Sequence, residues 1–490
     1  MLSLLSRSHP LAANRALQQA LAELRGAEPA EALGEAASWV ESLLGNPDLN
    51  DADRHRLIFA LDEATQPHVR QLSELYLAAP ASEGSVRRNL WNRTRGFLAM
   101  LLDAYGECLI TAAAAEERAR ATPVFAELAA RAIRTACQRA KWDAFRHGPH
   151  DETLWARANL AYRLAVGAGQ DRLPVQLRAD RRLETSVERE YLRCVALHAV
   201  GADQLDPPQL ELAARLITYV WPHLQLVAAP AAGSTYWVEA AQSLPPARLV
   251  RTPEHASLPR FFSGLEALPA LQQLHDLLLA GNAPASLAAD DDASRARLAL
   301  VLGHMVKAWS SEAPVRRHRR HALPGQMMVI SGLMRFLGRL AGDGEVIVPR
   351  TWELRDASRQ GVGAVAPLDG QDEVRVGALV GMHSLDGDRW RVGKIKRLWR
   401  TAENRGHVGV ELLEGSPMAA SADDGSCAVR VLVLDPLKRG ATVRIAVPLP
   451  GPRDGVPLYL LDHGRTAKLV PLSVLDRGSD YEIRAYLFAP

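Results

Sequence analysis

Cysteine is scarce, with 4 in 490 residues. Cys108, Cys137, Cys194 and Cys427 form no Cys-x-x-Cys pair and have no histidine-rich neighbour. That excludes a disulfide framework and the common zinc motifs. Cys108, Cys137 and Cys194 fall in helical patterns, where a free thiol acts as a small buried hydrophobe. Long apolar runs are missing too, so no membrane span is expected. Met1-Leu2-Ser3-Leu4-Leu5-Ser6-Arg7 reaches a charge too soon for a signal peptide. The expectation is a cytoplasmic protein without membrane insertion. An excess of one charge sign is also lacking: the net charge of +2 argues against a bulk polyanion as partner of the whole chain. Catalytic signatures are absent, among them Gly-x-x-x-x-Gly-Lys, His-Glu-x-x-His and Gly-x-Ser-x-Gly. His147 and His150, in His-Gly-Pro-His, lack a third ligand and read as a solvent-exposed turn. The triplet Asp290-Asp291-Asp292 reads as a solvated turn and helix cap, because consecutive carboxylates point in different directions. No metal, no cofactor and no enzymatic activity are expected.

What is present is a large globular chain. Its 48% hydrophobic and 23% charged residues are ordinary for folded proteins, and the length suits about three domains. Residues 1 to about 225 are rich in the strong helix formers Ala, Leu, Glu and Arg. Asp151-Glu152-Thr153 caps a helix with the stripe Leu154, Trp155, Ala158, Ala161, Tyr162 and Ala165, ended by Gly167 and Gly169. Within it, Trp155-x-x-Ala158-Asn159-x-x-Tyr162 resembles the first helix of a tetratricopeptide repeat, yet no 34-residue period surrounds it. A core stripe is the preferred reading. Helices follow from Val187 to His198 and from Gln209 to Val220, and Thr235 to Val238 is strand-like. Helix is expected to resume at Pro259 and run near Leu279, then again from Arg295 to about Trp309.

The pattern then changes. From Ala313 to Gly342 there are six Arg and no Asp or Glu, so positive charge is concentrated locally. Arg316 and Arg320 form Arg-x-x-x-Arg, and Asp356, Ser358 and Gly361 form Asp-x-Ser-x-x-Gly. A guanidinium forks onto two acceptors and stacks on flat rings. A carboxylate and a hydroxyl suit the donor edge of a base, and glycine allows close approach. Strand patterns follow at 376–380, 390–393 and 408–413.

These residues together resemble the PilZ domain, a bacterial receptor module for cyclic di-GMP. The resemblance covers roughly Val315 to Ala420 and maps onto Arg316, Arg320, Asp356, Ser358 and Gly361. It implies a small antiparallel β-barrel with a basic segment wrapping the dinucleotide against its surface. The gap between the two motifs is longer than the family usually has, and Leu333 to Leu340 within it reads as helix. The motifs that make or hydrolyse the dinucleotide are missing.

The expected fold class is multidomain α+β. An all-α bundle or solenoid (1–280) is followed by a linker and connecting helix (281–314), a PilZ-like barrel (315–420) and a second small C-terminal β-unit (427–490), separate or closing the first. Residues 416–426 read as a small polar linker. The function expected from the resemblance is a cyclic di-GMP receptor that contacts a protein partner through the helical region. The alternatives are a nucleic-acid-binding adaptor using Arg316–Arg320, disfavoured for want of stacking motifs, and a scaffold without ligand. Stoichiometry, one dinucleotide or a stacked pair, stays open.

Overall fold

The structure is a computed structural model describing residues 9–80, 83–114, 123–149, 151–177, 184–287, 291–312, 318–342, 347–371, 373–384, 387, 389–462 and 465–489. The chain divides into two units: residues 1–146, 151–202 and 207–314 form one, and 147–150, 203–206 and 315–490 the other.

The first unit is built from α1 (Asn14–Gly26), α2 (Pro29–Leu44), α3 (Asp51–Ala78), α4 (Gly84–Ala114), α5 (Pro123–Ala144), α6 (Glu152–Gly167), α7 (Val187–Ala199) and α8 (Pro207–Tyr219). Alanines 126, 129, 130, 132 and 136 give α5 a narrow waist, so α4, α6 and α7 pack closely on it. Asp151 caps α6 by accepting from Thr153 N at 2.8 Å, and the Trp155–Tyr162 stripe is buried as core. A buried ion network ties three helices together. Arg131 lies 3.3 Å from Asp62, 2.7 Å from Glu63 and 2.7 Å from Glu127, and Tyr105 OH donates to Asp62 at 2.6 Å. By length and composition α4 could cross a membrane, contrary to the sequence reading. Half of its most apolar stretch is buried, and it packs on α2, α3, α5 and α6 like a bundle core helix.

A two-stranded ribbon, β1 (Val175–Gln176) and β2 (Glu184–Thr185), interrupts the helices. A four-stranded antiparallel sheet follows, made of β3 (Gln225–Val227), β4 (Ser234–Glu239), β5 (Ala247–Arg248) and β6 (Pro259–Ser263), in the order β3-β6-β4-β5. The helix expected at Pro259 is therefore a strand. Phe261 pairs with Val227 and Trp237, and Phe262 with Leu226 and Tyr236, so aromatic cross-strand burial overrides the local pattern. Helix begins only at α9 (Leu268–Leu279). The helix α10 (Asp292–Trp309) is capped by Asp291, which accepts from Ser294 N at 2.7 Å. It packs on α8 and α9 and belongs to the first unit.

The second unit holds two closed six-stranded antiparallel barrels. The first comprises β7 (His321–Ser331), β8 (Arg350–Ser358), β9 (Gly361–Pro367), β10 (Leu379–Ser384), β11 (Arg391–Arg400) and β12 (Arg405–Leu413), in the order β10-β11-β12-β9-β8-β7. Trp352, Val380, Ile395, Val408 and Val410 fill it. The second comprises β13 (Met418–Asp423), β14 (Ala428–Val433), β15 (Thr442–Pro448), β16 (Leu458–Asp462), β17 (Arg465–Arg477) and β18 (Tyr481–Phe488), ordered β13-β14-β15-β18-β17-β16. It is a closed barrel of its own rather than an extension of the first. The linker expected at 416–426 is mostly β13, whose Ala420 and Ala422 face the second barrel's core. Small residues there read as a spacer in sequence but fit a tight interior in space.

The helix α11 (Leu333–Ala341) interrupts the first barrel, as its sequence pattern implied. Leu333, Phe336 and Leu337 pack with Leu432, Leu434, Tyr481 and Ile483, giving the two barrels a common core. Gly381 leaves room for the Phe336 ring, where a Cβ would collide with it.

Candidate functional site

The Asp-x-Ser-x-x-Gly motif is a β-hairpin. Asp356 and Ser358 end β8, Arg359 and Gln360 form the connection, and Gly361 opens β9 opposite Ser358. Ser358 Oγ donates to the Gly361 carbonyl at 3.3 Å, closing the hairpin end. The register slips between Leu354 and Asp356, which oppose Ala364 and Gly363 respectively. Such a bulge re-aims the residues beyond it. Leu354 packs on the barrel core, whereas Asp356 stands on the outer face.

Arg320 sits just before β7, where His321 pairs with Ala357 and Ala322 with Asp356. That register brings its guanidinium to the motif, and Nη1 donates to Asp356 Oδ1 at 2.6 Å. Both side chains are 35% exposed. A pair this open to water contributes at most about 1 kcal/mol to stability, so it presents charge without being consumed by it.

Glycines make the floor. A Cβ on Gly363 would lie 2.7 Å from Asp356 Oδ1 and 3.0 Å from Arg320 Nη1, and one on Gly361 would lie 3.2 Å from the Val410 carbonyl. Gly409 of β12 pairs directly with Gly363. The alternate residues Ala364, Val408 and Val410 point into the barrel, so the glycines leave the outer surface flat. The far wall comes from β11 and β12. Here too a bulge, between Ile395 and Arg397, turns side chains outward. Trp399, 42% exposed, stacks on His407 at 4.8 Å between ring centroids. Lys396 stands 3.5 Å from Glu411. The result is a groove with a guanidinium and a carboxylate on one side, the indole stacked on His407 on the other, and bare backbone between. It can hold a flat ring by stacking and an anion by Arg320, with Arg397 and Lys396 at hand.

Of the residues singled out in the sequence, Arg320, Asp356, Ser358 and Gly361 come together in this groove. Arg316 lies outside the described residues. Sequence reasoning missed Gly363, Gly409, Arg397, Trp399 and His407, although the alternation His407-Val408-Gly409-Val410 already set the glycine on the face opposite the valines. Histidine 147 is buried, not solvent-exposed as expected, and His150 lies outside the described residues. Among the described residues no group of His, Cys, Asp or Glu is placed to hold a metal ion.

Residues 15–231 match a family described as the cyclic-di-GMP receptor FimW, N-terminal domain. The match runs from α1 through β3, the region to which the sequence reading attached no family, and not over the residues that resemble PilZ. No curated protein matches the chain.

Proposed function

We propose that this protein is a receptor for cyclic di-GMP, bound in the glycine-floored groove of the first barrel. Convergence of Arg320 and Asp356 over Gly361 and Gly363 is the observation that carries the reading. The named ligand of the family matched by the helical region is independent support, since it involves different residues. In this reading the barrel is PilZ-like. Arg320 and Arg316 bond phosphate oxygens, Asp356 and Ser358 take the guanine edge, and Gly361 and Gly363 let the base lie on backbone. Trp399 covers a second ring face. The protein acts as a receptor rather than an enzyme, in a bacterial cytoplasm, and passes ligand occupancy to a protein partner through its helical unit.

Isothermal titration of the purified chain with cyclic di-GMP tests this. Saturable binding is expected, weakened at least about tenfold by Arg320→Ala, because a charge-assisted hydrogen bond is worth about 1.5–3 kcal/mol. Unchanged affinity in that variant would remove the assignment. A short single-stranded RNA run at two salt concentrations covers the adaptor reading: phosphate-backbone binding collapses as salt rises, whereas a pocketed dinucleotide is much less affected.

A further inference from the structure

A second cavity, of about 610 Å³, lies wholly within the helical unit. One wall is a single stripe of α5, in which Arg134, Cys137, Gln138 and Lys141 follow helical spacing. Arg189, Glu190 and Arg193 of α7 also line it, Glu190 reaching across to Arg134, and so does Trp221. The cavity shares no residue with the barrel groove. Its volume is that of small-molecule sites rather than of packing defects.

Two polar atoms in the wall are buried with no hydrogen-bond partner among the described residues: Gln138 Oε1 and Arg193 Nε. The Gln138 amide cannot simply be turned over. Asp62 accepts from Gln66 Nε2 at 2.6 Å, which directs Gln66 Oε1 toward Gln138. Gln138 Nε2 then donates to that oxygen at 2.7 Å, leaving its own Oε1 as the free acceptor. Arg193, whose side chain is 34% exposed, is held by looser contacts. Its guanidinium lies 5.0 Å from the Trp221 ring centroid, and its Nη1 is 3.7 Å from Glu190. Buried orphan groups are uncommon in folded proteins and point to a missing partner. A ligand that satisfied both would donate to Gln138 and accept from Arg193.

Charge and shape narrow the class. The lining carries four cations, Arg134, Lys141, Arg189 and Arg193, and two carboxylates, Glu184 and Glu190, while Glu211 outside it pairs with Lys141. Glu190 is committed to Arg134 at 3.0 Å and Thr185 at 2.8 Å, and Lys141 to Glu211 at 2.9 Å. Arg189, exposed at the mouth, has no ion pair among the described residues. Leu177, Leu197 and Ile217 add apolar surface to the lining. An anion at the mouth, an apolar ring body, and a ring edge bearing both donor and acceptor describe a nucleotide.

We propose that this cavity binds a nucleoside monophosphate, with its base edge on Gln138 Oε1 and Arg193 Nε and its phosphate at Arg189. The test is isothermal titration of the full chain with GMP and AMP, alongside inorganic phosphate and L-glutamate, in an Arg320→Ala background that disables the barrel groove. Expected is one mononucleotide per chain, weakened at least about tenfold by Arg193→Lys, which keeps the charge beside Glu190 but has no Nε–H. Arg189→Glu, an exposed change that leaves the fold intact, is expected to weaken it as much. Absence of mononucleotide binding at millimolar concentration would overturn the proposal. So would binding indifferent to both substitutions, or binding matched by phosphate or glutamate alone.

Discussion

The Asp480 carboxylate of the second barrel caps the first turn of α11 in the first. Its Oδ2 accepts from Leu333 N at 2.6 Å, while Oδ1 accepts from Leu379 N at 3.2 Å. One side chain thus satisfies two main-chain donors across the joint between barrels. Asp480→Ala leaves both amides unpaired, and a buried unsatisfied donor costs about 1–3 kcal/mol. A loss of about 2–6 kcal/mol in urea unfolding is expected.

Burial holds the Asp480 carboxyl above its ordinary value of 3.8, with the two amides pulling the other way. A folded pKa above the unfolded one means the native state binds this proton more tightly. Its contribution to stability therefore falls as pH rises from about the ordinary value through the folded pKa, and is level beyond. Asp480→Asn removes that titration. Urea midpoints of the two proteins, compared from pH 4 upward, are expected to show a shallower decline or a steeper rise in the variant across that window.

Gly363→Ala is expected to weaken cyclic di-GMP at least about tenfold while leaving the thermal midpoint nearly unchanged. The new methyl displaces the partly exposed ends of the Asp356 and Arg320 side chains rather than backbone. Retained affinity would mean the base does not lie on the glycine floor.

Trp399→Ala is expected to weaken the dinucleotide, since stacking on an exposed aromatic is worth about 1–3 kcal/mol per base. Trp399→Phe should recover most of it. Quenching of tryptophan emission on titration, lost in both variants, checks that this indole is the one covered.

Asp62→Ala in the helical unit leaves Arg131 buried without its deepest partner and strands Tyr105 OH. Breaking a buried pair costs about 3–5 kcal/mol. Chemical unfolding followed by circular dichroism is expected to show that loss, with cyclic di-GMP affinity unchanged in the folded fraction.

Local chemistry carried much of this protein in the sequence. Helix formers and caps announced the helices: Asp151 and Asp291 cap where their spacing placed them, because a cap acts over three residues. Alternating valines at 429–433 and 443–447 marked strands, since a period of two needs no distant partner. Arg320 and Asp356 were legible as two short motifs, but that they pair with each other came only from the register of β7 on β8. Tertiary structure decided the rest. Phe261 and Phe262 became strand because Val227, Tyr236 and Trp237 were there to pair with, and Ala420 and Ala422 became barrel wall because a closed barrel needs small residues inside. Gly363 meets Gly409 only once β9 lies beside β12, some 45 residues on in the chain. The groove's floor and its tryptophan wall are products of strand order, which is set by the summed burial of two cores and not by any single stretch of sequence.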